Sequence, residues 1–149
     1  MYDRMISTYT DLMDKLNSLP VEIAESEDEM IALKKGVVHH EDAMERRRIA
    51  LIFAAGGWAA LGKNEGERSM AEKKMLSEDK AYQDAAAAFT NLRIDIDVTA
   101  QRIKDSERQY GAVCYQARLT AAFMGFLAGA GVTTEQPMEA PMSAEEVGL

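Results

Sequence analysis

The chain has a single cysteine, Cys114, so no disulfide can form within it. Prolines number three, Pro20, Pro137 and Pro141, and long stretches are therefore free of helix breakers. Val and Ile are sparse, so almost no sheet is expected. The longest apolar stretch, Leu119 to Val132, contains three glycines and is too short to span a bilayer. No charged n-region with an apolar h-region opens the chain, so the expected location is cytoplasmic, with no membrane. Lys and Arg are in deficit: the net charge is −8, which argues against direct nucleic-acid binding through a broad basic face. Glu135, Glu139, Glu145 and Glu146 carry half of that charge in a tail without a single base.

What is present is helix-forming sequence. Ala, Leu, Met, Glu, Lys, Arg and Gln dominate the middle of the chain. Tyr2, Met5, Ile6, Tyr9, Leu12, Met13, Leu16 and Leu19 follow helical spacing and predict a first amphipathic helix over 2–19. Pro20 suits the first turn of a second helix over 21–55. There Ile23, Met30, Val37, Met44 and Leu51 recur every seven residues. Leu33 and Ala54 sit on the companion position, which is also occupied by Ser26, His40 and Arg47. Acids at Glu25–Glu29 and bases at Arg46–Arg48 match the helix dipole.

Gly56 and Gly57 stop that helix, and residues 56–64 form a bend around Trp58, the sole tryptophan. Asn64 with Glu67 has the form of a helix N-cap with a reciprocal acid, predicting a short helix from Glu65 to about Leu76. Ser77 is the next candidate cap. A long helix over 78–129 then carries Tyr82, Phe89, Ile96, Ile103, Tyr110, Ala117 and Met124 on one heptad position, and Gly129 and Gly131 are expected to end it. The companion position holds Ala85, Leu92, Thr99, Ser106, Val113, Thr120 and Leu127. The expected fold is all-α: a long antiparallel helical hairpin of coiled-coil type, spanning 1–131, followed by a disordered acidic tail over 132–149. Folded back at the bend, helix 21–55 covers the stretch from Tyr82 to Tyr110. Val113–Leu127, which includes Phe123 and Phe126, is left for helix 2–19 to cover. A core this thin is expected to complete itself by homo-oligomerisation.

Chemical signals are few. His39 and His40 are adjacent, so on a helix they point about 100° apart and do not chelate one ion together. Gly36 stands where a Glu-x-x-His di-iron motif needs its acid. Gly62-Lys63-Asn64 lacks the first glycine and the strand of a phosphate loop and reads as a turn with a cap. No nucleophile–base set and no carboxylate pair marks a catalytic centre, and no cofactor or metal is expected. Cys114 falls in an apolar helical pattern and reads as a small buried residue. Arg46, Arg47 and Arg48, with Lys63, Arg68, Lys73 and Lys74, either form a basic tip or, because acids are interleaved, a mixed solvated face. The second reading is favoured. Trp58 either caps the hairpin core, the favoured reading, or anchors a partner.

The run Leu61-Gly62-Lys63-Asn64-Glu65-Gly66-Glu67-Arg68, followed by Asp79, Tyr82 and a heptad helix, resembles small helical proteins encoded by bacteriophages and prophages. Those share a Gly-Lys-Asn-Glu-x-x-Arg turn and an Asp-x-x-Tyr-like helix start. The resemblance implies a non-catalytic accessory role beside phage DNA replication or recombination, in the host cytoplasm, and assigns no functional residues. Two functions are therefore expected in competition. One is a self-associating interaction protein whose partner is a DNA-processing protein. The other is an acidic, DNA-mimicking inhibitor of a host nuclease or defence protein.

Overall fold

A computed structural model of the chain describes residues 2–134, and no strand occurs among them. The order is α1 (Tyr2–Ala54), a 3-10 turn (Trp58–Leu61), α2 (Glu65–Glu78) and α3 (Lys80–Thr134). The protein is all-α. The calls on the acidic tail from Glu135 onward lie outside the described residues.

Two helix boundaries differ from expectation. Helices 2–19 and 21–55 are one: α1 passes through Pro20 without a break. Proline removes one intrahelical hydrogen bond and crowds the preceding turn, at a cost of about 3 kcal/mol. Its neighbour Leu19, at 4% exposure, is the most deeply covered of the buried apolar residues, so packing holds the chain helical where the local code would stop it. Gly129 and Gly131 do not end α3 either, and it continues to Thr134. Glycine in a helix costs only about 1 kcal/mol, a weak stop beside the proline that α1 tolerates.

The bend is built as glycine requires. Gly56 and Gly57 have φ of +97° and +93°, conformations that side chains of L-residues rarely adopt. Gly57 N–H donates to the Ile52 carbonyl at 2.9 Å, closing the end of α1. Gly62 is needed for a different reason. Its backbone is extended, but a Cβ there would lie 2.6 Å from Glu67 Cβ and 3.0 Å from Arg68 N. Arg68 Nε also donates to the Gly62 carbonyl at 2.9 Å. Asn64 caps α2, its Oδ1 accepting from Glu67 N–H at 2.9 Å, and Glu67 reaches back to Lys63 N–H at 2.8 Å. Ser77 is not a cap. It lies inside α2, and Asp79 takes that role for α3, accepting from Tyr82 N–H at 2.8 Å.

The chain divides into two compact units. The first joins the start of α1, up to Ser18, to α3 from Tyr110 onward, and the second is Leu19–Gln109. In the first, Leu12, Val113 and Ala117 are buried. In the second, α1 meets α3 at Gly36, whose added Cβ would stand 3.1 Å from Leu92 Cδ1. Glu29 of α1 pairs with Arg102 of α3, and Arg47 of α1 pairs with Asp79 at the start of α3. Thr99 is buried there at 3% exposure. Many of the seven-residue positions are covered: Met30, Leu33, Val37 and His40 on α1, and Ile96, Thr99, Ile103 and Ser106 on α3, are buried or half-buried, whereas Arg47, Ala54 and Tyr110 on the same positions are exposed.

Candidate interaction surfaces

The three consecutive arginines do not act as one cluster, because successive residues on a helix diverge by about 100°. Arg46 is exposed and donates to the Asp42 carbonyl at 3.2 Å, one turn back. Arg47 makes a two-pronged bridge to Asp79, with Nε at 2.9 Å from one carboxylate oxygen and Nη2 at 2.7 Å from the other. Arg48 donates to Glu72 of α2 and, at 3.0 Å, to Glu45. Arg47 and Arg48 thus clamp α2 and the start of α3 onto the end of α1. The Arg47 hydrogen bond, then the Tyr82 N–H, hold the Asp79 carboxyl below the usual carboxylate range. Two of the three consecutive arginines are thus engaged by carboxylates within the fold.

Trp58 belongs to the 3-10 turn, which contains no buried residue. The indole residue is 37% exposed, so most of its surface is covered while part of it faces solvent. His39 and His40 meet edge to face, with ring centroids 5.4 Å apart. Among the described residues, no group of three or more His, Cys, Asp or Glu side chains is arranged to hold a metal ion.

The first unit presents a different surface. Phe123 and Phe126 are 50% and 70% exposed, and Tyr115 and Leu119, which sequence reasoning did not single out, join them at 65% and 54%. Arg4, Met5 and Thr8 of α1 with Leu119, Thr120 and Phe123 of α3 border an open groove of about 710 Å³. On the other side of α3, Tyr9, Met13 and Leu16 line a hollow with Tyr110 and Cys114. Cys114 is half-buried rather than buried. The neighbouring Cys114 side chain pushes the Tyr110 phenol above its ordinary range. The signal for Tyr115 and Leu119 was in the sequence: from Tyr110 to Thr134 the one charged residue is Arg118. A helix with so little charge has no face adapted to water.

No helix among the described residues is long and apolar enough to cross a membrane. Comparison with protein-family models, with curated proteins and with solved structures finds no match to this chain.

Proposed function

We propose that the chain is a non-enzymatic, self-associating interaction protein, in which α1 and α3 form an antiparallel coiled-coil hairpin closed by the Trp58 bend and clamped by α2. The hairpin reading draws support from the order of the α1–α3 contacts in the second unit. Glu29 meets Arg102, Gly36 faces Leu92, and Arg47 meets Asp79, so positions rise along one helix as they fall along the other. Self-association rests on one observation: among the described residues, fifteen large hydrophobic residues stay substantially exposed, whereas four apolar residues are buried. Hydrophobic burial is the main stabilising term of a fold, and a chain that leaves this much apolar surface wet gains by covering it with a partner.

The turn that resembles phage and prophage helical proteins extends the reading to an accessory factor acting beside DNA-replication or recombination proteins. Contact with such machinery goes through protein faces, because Arg47 and Arg48 are engaged by Asp79 and Glu72. Folding linked to association makes the melting temperature depend on protein concentration. Thermal melts over a hundredfold concentration range are expected to shift upward with concentration. Superimposable melts would refute self-association.

A further inference from the structure

α2 is held differently from the two long helices. It contains no buried residue, and its best-covered side chains, Ala71, Glu72, Met75 and Leu76 among them, are only half-buried. Leu51 of α1 with Ala71, Lys74, Met75 and Glu78 of α2 surround an open hollow of about 450 Å³. Apolar contact across this joint is therefore incomplete. The directional contacts that cross it are charged: Arg48 of α1 donates to Glu72, and Arg47 to Asp79, the residue that ends α2. We propose that α2 is a releasable strap, which detaches from α1 while α1 and α3 stay in contact, and that the Arg48–Glu72 pair sets how often it does so. Detachment bares Leu51 and Met75.

Three features make this detachment local. First, the cap of α2 is self-contained. Glu67 N–H donates to Asn64, Lys63 N–H donates to Glu67, and Arg68 donates to the Gly62 carbonyl, so the cap leaves with the helix and costs nothing at α1. Second, both ends of the segment have joints. Gly56 and Gly57, the most permissive residue type, precede it, and the single extended residue Asp79, with φ −86° and ψ 110°, follows it. Gln83 Nε2 of α3 donates to the Leu76 carbonyl at 2.9 Å, which makes the Asp79 end the pivot. Third, α1 and α3 touch each other without α2, at Gly36 against Leu92 and through Glu29 with Arg102. Once off α1, a helix of 14 residues is marginal in water and opens its backbone to solvent. The Arg48 side chain is 36% exposed, and an ion pair open to water in this way is weakened by salt.

Amide hydrogen exchange of the full chain, read residue by residue at one protein concentration, tests the strap. The N–H groups of Met70–Ser77 are bonded within α2, and those of Met30–Met44 and Phe89–Ile103 within α1 and α3. The α2 set is expected to exchange faster than the other two, through local opening. In about 1 M NaCl, where charges are screened beyond about 3 Å, α2 exchange should quicken about fivefold while the α1 and α3 sets keep their rates. Arg48→Gln at low salt should quicken α2 by a similar factor and again spare the other two sets. Exchange of α2 as slow as that of α1 and α3 would overturn the inference. So would salt and Arg48→Gln effects spread equally over all three helices, because α2 would then leave only on general unfolding. An α2 rate indifferent to both salt and Arg48→Gln would overturn the part assigned to the ion pair and with it the proposal.

Discussion

The two units are held by different chemistry. The first, with residues 2–18 and 110–134, contains three of the four buried apolar residues and none of the five ion pairs found among the described residues. The second, Leu19–Gln109, contains all five ion pairs, the α2 cap and the glycine bend, and its one buried polar residue is Thr99. The first unit therefore depends on apolar burial, which is strong and non-directional, and the second on directional contacts that fix geometry. Among the described residues, six exposed large hydrophobics lie in the first unit and nine in the longer second unit, so apolar surface suited to association is found in both. A surface crossed by arginine–carboxylate bridges suits a fixed bend.

The sharpest way to break this contrast is a core truncation. Leu12→Ala, at a residue 7% exposed, should cost about 2–4 kcal/mol in urea titrations. Leu92→Ala, at a half-buried position of the second unit, should cost less. Equal losses would erase the distinction. Next comes the bend: Gly62→Ala forces its new methyl into Glu67 and should cost about 1–3 kcal/mol, again by urea titration. Asn64→Ala, which leaves Glu67 N–H without its cap, should cost about 1 kcal/mol.

The bridge between Arg47 and Asp79 gives a pH signature confined to acid. The folded Asp79 pKa lies below its unfolded value, so in the interval between them the unfolded state binds more protons. The stabilisation is complete above the ordinary aspartate value of about 3.9 and disappears as pH falls through the lower folded value. Asp79→Asn keeps an acceptor for Tyr82 N–H and loses the charge. Its stability deficit should be constant near neutrality and vanish in strong acid. A deficit that grew on acidification would contradict the bridge. The smallest effect is expected at Arg46→Ala, within about 0.5 kcal/mol of the parent, since Arg46 holds only the carbonyl of its own helix.

The helical class was legible from the sequence, and the covered positions were legible in part, since Arg47, Ala54 and Tyr110 share the seven-residue positions but are exposed. Both follow from repeated signals, strong helix formers and residues such as Met30 and Ile103 spaced by sevens. Single-residue punctuation misled. Pro20 and Gly129 read as breaks, yet α1 runs through Pro20 beside the buried Leu19, and glycine's cost of about 1 kcal/mol is too small to stop α3. Ser77 was a reasonable cap, but Asp79 alone also meets Arg47, so a distant contact decided the boundary. At Arg46–Arg48 the interleaved acids favoured a mixed face over a basic tip, and the 100° step between neighbours sends each side chain to a different partner. At the aromatic face, Phe123 and Phe126 were visible by composition. Tyr115 and Leu119 became visible once the first stripe was known to be occupied within the chain.

Sedimentation equilibrium of the whole chain across a wide concentration range tests self-association most directly. The average mass should climb with concentration from 16.5 kDa towards twice that value. A mass fixed at 16.5 kDa throughout would contradict the account.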